Sequence, residues 1–348
     1  MNNERWITTW SYAQRRTSFT RWENQNSFRI DIPNNLSGYA IKLKFSNWYG
    51  IRSVGIRQVS VCLDGYTYPV CVDGKSEFSV TPEQDIYSEP VFLEIMPGRH
   101  MQISVTFTDA LRPESGNTFK SGIAVILQSV LLAVYHEADV VAFFGDSITH
   151  RQKWSGPLIN KWYEKYPGKL AAFEVAVDGS RLLNDSPRSE DETLGFRAVR
   201  RFRHDILENP GINYVVFALG LNDLVMEEAG EQILTLESYK KAVGEIVHMA
   251  HMNGIKVIGL TITPRLMNEL YTNQRNQLRK RINQWILQDA PFDAAVDAAA
   301  VVANSQDTAL KEEYQDMDGV HINGAAGRAI AEVLEKAEIF TGIYEEGM

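Results

Sequence analysis

The sequence predicts an α/β fold, a doubly wound parallel sheet of five strands, preceded by an all-β domain. Two observations lead to this prediction. Short strand-like segments fill residues 1–135, and from about residue 138 apolar runs alternate with helical patterns. A length of 348 residues suits about two domains, and a composition of 44% apolar and 23% charged residues is ordinary for globular proteins. This composition excludes disordered, collagen-like and coiled-coil chains.

Residues 1–136 are predicted to form a β-sandwich, jelly-roll-like in organisation, because many short strand patterns follow one another between turn signals. The segment 39–45 shows the alternation most clearly. Its odd positions are apolar, and Lys42 and Lys44 at even positions predict a solvent-exposed face. The other predicted strands are 27–32, 54–63, 66–72, 77–80, 90–95 and 101–107.

The two cysteines of the chain, Cys62 and Cys71, are predicted to be free thiols. Both lie in strand-like segments of one predicted hairpin. A turn at Asp64 and Gly65 would place Cys62 near Thr67 rather than opposite Cys71. The cysteine content therefore does not indicate a disulfide-stabilised fold.

Residues 137–348 are predicted to form the parallel sheet. Helical spacings of three and four, as in 236–250 and 326–337, occur between and after short apolar runs. Runs of this kind suit parallel strands that are covered on both faces. The five predicted strands are 140–144, 171–177, 214–219, 256–261 and a weaker 294–296. The repeated β-α order favours a doubly wound sheet, and without a Gly/Ser linker we expect the two domains to pack directly together.

Charge and targeting signals limit the expected partners and location. The formal charge is −9 and no basic run is present, so nucleic acids and anionic membranes are not expected as partners. The first residues do not show the basic and apolar regions of a signal peptide. The longest apolar segment, 123–135, is too short to span a bilayer. We therefore expect a cytoplasmic protein, and homo-oligomerisation is left open.

Chemically useful side chains follow the predicted strands, at the edge where open parallel sheets bind ligands. A further pair precedes the last predicted helix. Because the carboxyl ends of parallel strands meet at one edge, all of these groups are expected to converge. In chain order they are Asp146, Ser147, Gly179, Arg181, Asn222, Asp318 and His321.

These residue types are the ones that acyl transfer requires. A serine hydroxyl is a weak nucleophile until a base takes its proton, and imidazole is a suitable base near neutral pH. A carboxylate on the other ring nitrogen orients that base, and Asp318 and His321 are spaced to form such a pair. The N–H groups of Ser147 and Gly179 and the amide of Asn222 are candidate oxyanion donors. Each group alone also fits an ordinary turn or helix cap.

The segment 143–149, with the sequence Phe-Phe-Gly-Asp-Ser-Ile-Thr, resembles the first signature block of the GDSL, or SGNH, hydrolases. Gly179 resembles the second block and Asn222 the third, while Asp318 and His321 resemble the last. The similarity extends to a two-domain branch of the family that carries an N-terminal β-sandwich. The segments similar to that branch are 8–10, 43–50, 179–185 and 201–207.

This resemblance implies roles for individual residues. Ser147 would be the nucleophile, His321 the general base and then acid, and Asp318 the group that orients His321. Ser147, Gly179 and Asn222 would supply the oxyanion hole. Known members are esterases, lipases, thioesterases and carbohydrate acetylesterases that use no metal, so neither a metal nor another cofactor is expected.

Two positions depart from the family pattern. Ile322 follows the catalytic histidine where proline is usual, and His150 stands where aspartate or asparagine is common. We regard Asp146, His150 and Arg181 as candidate substrate contacts. The alternatives for His150 are a second base and a bystander role, and the alternative for Arg181 is a structural salt bridge.

Three further groups have a functional and a structural interpretation. Trp6, Trp10, Trp22 and Trp48 would form either a sugar-stacking platform or packing in the core and between domains. The basic segment 197–203 is interpreted as a solvated helix face. His248 and His251 have a spacing compatible with metal binding, but no carboxylate or cysteine cluster completes a site.

The expected function is that of a serine esterase acting on a small-molecule ester, with acetyl on a sugar or oligosaccharide preferred. A β-sandwich is a common companion of carbohydrate-active members, and the sequence has no long apolar lid segment of the lipase kind. The alternatives are a general short-chain carboxylesterase or thioesterase, and a non-catalytic carbohydrate-binding protein.

Overall fold

The computed structural model describes residues 5–14, 27–50, 53–108, 126–185, 195–226 and 230–337. Within these residues the strands form three sheets, two antiparallel and one parallel. The antiparallel sheets come first along the chain and the parallel sheet follows. This arrangement confirms the predicted fold class.

One antiparallel sheet has the strand order β1-β10-β3-β7, with β8 also paired to β3. Its strands are β1 (Trp6–Ser11), β3 (Gly38–Ser46), β7 (Asp85–Tyr87), β8 (Val91–Ile95) and β10 (Leu127–Val134). Strands β1, β7 and β10 were not among the predicted strands. Every residue of β10 is buried, so the period-two alternation of a half-exposed strand is absent there.

The other antiparallel sheet has the order β2-β9-β4-β5, with β6 paired to β4. Its strands are β2 (Ser27–Pro33), β4 (Val54–Leu63), β5 (Tyr66–Val70), β6 (Phe78–Val80) and β9 (His100–Phe107). Asp64 and Gly65 have φ values of 51° and 85°, as a tight hairpin turn requires. Cys62 pairs with Thr67 across this hairpin, and both cysteines are free, which confirms the prediction.

The prediction of a solvent-exposed face on β3 is wrong at Lys44. Its side chain is only 1% exposed, because this face of β3 packs against the second half of the chain. The Nζ atom lies 2.8 Å from Oδ2 of Asp85 and 3.4 Å from Oε2 of Glu208. A period-two pattern indicates which residues share a face of a strand, but it does not indicate whether solvent or another part of the protein covers that face.

The parallel sheet has the order β12-β11-β13-β14-β15. Its strands are β11 (Asp139–Gly145), β12 (Leu170–Ala176), β13 (Tyr214–Ala218), β14 (Lys256–Leu260) and β15 (Ala294–Val296). The second strand along the chain is added on one side of the first, and the later strands on the other. The strand order therefore reverses at β11, and open α/β sheets bind ligands beyond the carboxyl ends of the strands at such a point.

The helices of the parallel half connect successive strands or follow the last one. They are α1 (Ser147–His150), α2 (Ser155–Lys165), α3 (Ala198–Phe202), α4 (Leu236–His251), α5 (Asn273–Gln288), α6 (Ala298–Val302) and α7 (Gly324–Lys336). Helix α3 continues into a π-helical turn over Arg203–Leu207. No helix among the described residues has the length and apolar character needed to cross a membrane.

Hydrogen bonds join the two halves of the chain directly. The backbone N–H of Thr8 in β1 donates to the carbonyl oxygen of Pro210 at 2.8 Å. The side-chain amide of Asn35 donates to the carbonyl oxygens of Tyr166 and Leu170, at 3.0 and 2.8 Å. The halves therefore pack against each other, as the absence of a Gly/Ser linker predicts.

Candidate active site

Ser147 is the first residue of α1, directly after the carboxyl end of β11. Asp146 caps this helix, because its Oδ1 accepts a hydrogen bond from the N–H of Ile148 at 2.9 Å. The strand-to-helix turn also requires Gly145, where a Cβ atom would lie 2.2 Å from Oγ1 of Thr149. The turn holds Ser147, which is 8% exposed, at the edge of the sheet where the strand order reverses.

Asp318 and His321 lie in the loop that leads into α7. One carboxylate oxygen of Asp318 accepts the backbone N–H groups of Val320 and His321, both at 2.9 Å. The other lies 2.5 Å from Nδ1 of the His321 ring. Gly319, between them, has a φ of 65°, a conformation that favours glycine. The loop therefore fixes the imidazole against the carboxylate.

The Nε2 atom of His321 lies 2.9 Å from Oγ of Ser147. Because the Asp318 carboxylate accepts the proton of Nδ1, Nε2 is left to accept the hydroxyl proton of Ser147. The structure thus brings together the serine, histidine and aspartate that the sequence singles out, in the order that a nucleophile, a base and an orienting carboxylate require.

The candidate oxyanion donors lie on the loops that follow β11, β12 and β13. Gly179 has a φ of 66° in a turn closed by a 3.0 Å bond from the N–H of Ser180 to the carbonyl of Val177. Among the hydrogen bonds of the described residues, none is donated by the backbone N–H of Ser147 or of Gly179. Both N–H groups are therefore available to an oxyanion.

The third candidate donor, Asn222, begins a short 3-10 turn after β13. Its Nδ2 donates to the carbonyl oxygen of Ser180 at 3.1 Å and makes a longer contact of 3.4 Å with Oδ2 of Asp146. The amide is thus held between the nucleophile turn and the Gly179 loop. The 3.4 Å contact is weak, so the N–H of Asn222 that makes it can donate to a substrate oxygen instead.

Burial and hydrogen bonding set the charges around the site. Burial raises the pKa of Asp146 to about 7 and that of Asp223 to about 6, although backbone N–H groups bonded to each carboxylate oppose the shift. Burial alone would also raise the pKa of Asp318. Hydrogen bonds from the N–H and ring of His321 and from the N–H of Val320 outweigh it and hold this pKa well below the ordinary value.

Two of the three candidate substrate contacts are turned into the protein. Asp146 is 2% exposed, and its carboxylate contacts the N–H of Ile148 and the Asn222 amide. Arg181 is buried, with Nη1 and Nη2 at 2.6 and 2.7 Å from the two carboxylate oxygens of Glu231. Arg181 is therefore in the salt bridge that was its alternative.

His150, the third candidate, lies at the end of α1 and is partly exposed. Its ring centroid is 6.3 Å from that of Tyr12, in an edge-on arrangement, and Tyr12 in turn stacks with Trp10 at 6.5 Å. Aromatic residues of the β half therefore reach the neighbourhood of the nucleophile helix. Trp48 instead stacks on His204 at 3.9 Å, as in the packing interpretation, and Trp22 lies outside the described residues.

The interpretation of segment 197–203 as a solvated face is wrong at Arg201. Arg197, Arg200 and Arg203 are exposed, but Arg201 is 0% exposed, with Nη1 2.6 Å from Oδ2 of Asp205. Sequence reasoning missed this pair. The available signal was the spacing of four between the opposite charges of Arg201 and Asp205.

A sequence model of the GDSL-like lipase/acylhydrolase family matches residues 143–329, more than half of the chain. A search of curated proteins finds no match. Among solved structures, a GDSL-like lipase of Bacteroides thetaiotaomicron is 19% identical, with a TM-score of 0.44 over 58% of this chain and 88% of its own.

Two other solved structures show comparable similarity. The YxiM protein of Bacillus subtilis is 17% identical, with a TM-score of 0.43 over 92% of this chain and 81% of its own. An acetyl xylan esterase is 18% identical, with a TM-score of 0.43 over 57% of this chain and 98% of its own. At these values none of the three structures assigns a substrate to the chain.

Proposed function

Because the chain belongs to the GDSL-like lipase/acylhydrolase family, we propose that it is a serine esterase with Ser147 as nucleophile. The observation that carries this proposal is the continuous hydrogen-bond chain from Oγ of Ser147 through the His321 ring to Asp318, with contacts of 2.9 and 2.5 Å. Such a chain activates a hydroxyl that is otherwise a poor nucleophile.

In the first half of the reaction, Nε2 of His321 takes the Ser147 hydroxyl proton while Oγ forms a bond to the ester carbonyl carbon. The carbonyl oxygen becomes an oxyanion, and the N–H groups of Ser147 and Gly179 and the amide of Asn222 stabilise it. The bond to the alcohol oxygen then breaks, and His321 returns the proton to that oxygen. An acyl-enzyme remains on Ser147.

In the second half, His321 takes a proton from a water molecule, and the water oxygen attacks the acyl carbon. Breakdown of this intermediate breaks the bond to Oγ of Ser147, which regains the proton from His321, and releases the carboxylic acid. Asp318 remains ionised throughout and stabilises the imidazolium that forms during acylation and again during hydrolysis of the acyl-enzyme. The low pKa of Asp318 supports this role.

The proposed substrate is a small acyl ester of a carbohydrate, with acetyl as the acyl group. Tyr12 of the β half lies beside His150, three residues after the nucleophile, and Trp10 stacks on Tyr12; aromatic faces are suited to sugar rings. The β half would then contact the alcohol part of the substrate.

A second candidate, a carboxylesterase or thioesterase for more apolar esters, is favoured by one observation. Four exposed apolar side chains lie on the two loops around Asp318 and His321, and the N–H of Leu266 joins these loops by donating to the carbonyl of Gly319 at 2.8 Å. Such exposure beside a candidate site suits an apolar ligand. The four residues are Leu266, Met267, Leu270 and Met317.

The proposal is tested with a chromogenic acetate ester and the variant Ser147→Ala, with Ser305→Ala, an exposed loop serine, as matched control. Loss of a triad nucleophile lowers the rate by roughly 10⁶-fold, whereas Ser305→Ala is expected to retain wild-type turnover. Retention of most activity in Ser147→Ala would overturn the assignment. Acetylated sugars and longer acyl esters are then compared, and a preference for long chains would favour the second candidate.

A further inference from the structure

A continuous line of polar side chains, buried except for the half-buried first member, crosses from the β half to the candidate oxyanion turn. In order, its members are Asp85, His204, Asp205, Arg201 and Ser180. We propose that this chain, named here the cross-domain relay, positions the oxyanion donors, so that the β half is a working part of the active site. The proposal rests on the esterase function proposed above and adds positioning residues to it.

The relay begins in the β half at Asp85 of β7. Oδ2 of Asp85 lies 3.2 Å from Nε2 of His204, which belongs to the π-helical turn of the other half. Lys44 of β3 supports the carboxylate at 2.8 Å, and the Trp48 ring stacks on the imidazole at 3.9 Å. Ser46 Oγ and Gln128 Nε2, also of the β half, lie 3.4 and 3.2 Å from the ring nitrogens of His204, so the β half fixes the ring in place.

Within the second half, the relay continues through two carboxylate oxygens. Nδ1 of His204 lies 3.0 Å from Oδ1 of Asp205, and Oδ2 of Asp205 lies 2.6 Å from Nη1 of Arg201. The His204 side chain is 5% exposed, and those of Asp205 and Arg201 are 0% exposed. Ion pairs buried to this degree are costly to form and depend closely on geometry.

The relay ends at the candidate oxyanion hole. Nη2 of Arg201 donates to Oγ of Ser180 at 3.1 Å and contacts the carbonyl oxygen of Gly145 at 3.4 Å. Ser180 directly follows Gly179, and its own carbonyl accepts the Asn222 amide at 3.1 Å. One guanidinium therefore touches the nucleophile turn and the residue that connects two of the three proposed oxyanion donors.

The order of charges is consistent with a relay. Burial would lower the pKa of His204, but its hydrogen bonds to the carboxylates of Asp205 and Asp85 outweigh burial and raise it. Burial would likewise raise the pKa of Asp85, and its hydrogen bond with His204 and the Lys44 charge lower it instead. The carboxylates of Asp85 and Asp205 therefore alternate with the side chains of Lys44, His204 and Arg201, and each is held by its neighbours.

A metal site is the competing explanation, because ligand atoms of Asp85, His204 and Glu208 lie within 4.8 Å of one another. The Lys44 ammonium already lies among the carboxylates, 2.8 Å from Asp85 and 3.4 Å from Glu208. A divalent cation there would be placed against this fixed positive charge. The observed partners are those of a lysine-centred ion cluster.

The test uses the full chain and two relay variants. Ser180→Ala removes the hydroxyl that Arg201 binds and leaves the backbone unchanged, and Asp85→Asn removes the charge at the far end. Asn35→Ala is the matched control. This variant also removes two hydrogen bonds between the two halves of the chain. Their acceptors, the carbonyl oxygens of Tyr166 and Leu170, lie near the start of β12, whereas Ser180 follows its end. The measurements are kcat and KM for an acetate ester, and the thermal midpoint.

We expect each relay variant to lower kcat about tenfold with KM within about twofold, since small misplacements of catalytic groups have large effects on rate. Asn35→Ala is expected to lower the thermal midpoint while retaining kcat. In the double variant Ser180→Ala/Asp85→Asn, the losses should not multiply, because both changes break one chain, whereas independent sites are additive in free energy.

Three outcomes would overturn the relay. They are wild-type kcat in both relay variants, losses that multiply in the double variant, and an equal loss of kcat in Asn35→Ala. All three presuppose an active wild-type enzyme. A wild-type protein without turnover, or one insensitive to Ser147→Ala, would instead refute the proposed function, so the two failures are distinguishable.

Discussion

Nε2 of His321 lies 2.9 Å from Oγ of Ser147, although 174 positions separate the two residues. The contact exists because β11 ends at the switch point of the parallel sheet and the loop before α7 returns to the same edge. Each side chain is fixed locally, Ser147 by the cap of α1 and His321 by Asp318. The pairing is therefore built into the fold before any substrate binds.

The variant Asp318→Asn is expected to lower kcat by about 10²–10⁴-fold. The asparagine oxygen can still accept the N–H groups of Val320 and His321, so the loop should fold. Its amide would face Nδ1 and favour the wrong tautomer of the ring. Ester hydrolysis measures the loss, and Asp316→Asn, two residues earlier on the same loop, is the control. An unchanged kcat in Asp318→Asn would contradict the orienting role.

The variant Asn222→Ala is expected to lower kcat by about 10²–10³-fold, the usual effect of removing one oxyanion donor. The remaining donors, the N–H groups of Ser147 and Gly179, belong to the backbone and survive the change. KM should change little, since the donor acts mainly on the transition state. A rise in KM at constant kcat would indicate instead that Asn222 binds the ground state.

The variant Gly319→Ala should reduce activity, because a Cβ at this position would lie 2.9 Å from Cβ of Leu266 and the residue has a φ of 65°. The change would displace the peptide between Asp318 and His321. Gly98→Ala is a matched control, with a φ of 79° and no atom within 4 Å of the added Cβ. Both variants have the same backbone strain of about 1–2 kcal/mol, so only Gly319→Ala should lose kcat.

The buried carboxyl of Asp146 predicts a stability that falls as the pH rises. Its pKa in the folded protein is about 7, against an ordinary value of 3.8, so the folded state binds the proton more tightly than the unfolded chain. This contribution is complete below about pH 4 and is lost as the pH rises towards 7, with an upper limit of about 4 kcal/mol.

The variant Asp146→Asn, whose amide oxygen can still cap α1, should therefore lose less stability than the wild type between pH 4 and pH 8. Urea unfolding at several pH values measures the difference. Asp297→Asn, which changes the cap of α6, controls for an ordinary helix-cap effect. Parallel pH curves for Asp146→Asn and the wild type would contradict the prediction.

Much of the fold was predictable, because buried strands and helix faces have apolar runs or periodic apolar patterns in the sequence. The four apolar runs and the weaker 294–296 run coincide with β11 to β15 within one residue at each end. The helices α4 and α7 are found where the spacing of three and four predicts them. Of the missed strands, β7 has only three residues and β10 is buried along its whole length, so neither has an alternating pattern.

From the amino-acid sequence we could predict which residue types are available and on which loops they lie. Ser147, Asp318 and His321 could be selected because each follows a strand or precedes a helix at the carboxyl edge of a parallel sheet. The partners of buried charges became known only once the folded arrangement was seen. Lys44 and Arg201 look like surface residues in the sequence, and both are buried against acids that lie elsewhere along the chain or one helical turn away. The physical reason is that a periodic pattern records how a segment is divided into faces, whereas the energy of a buried charge depends on what the opposite surface brings to it.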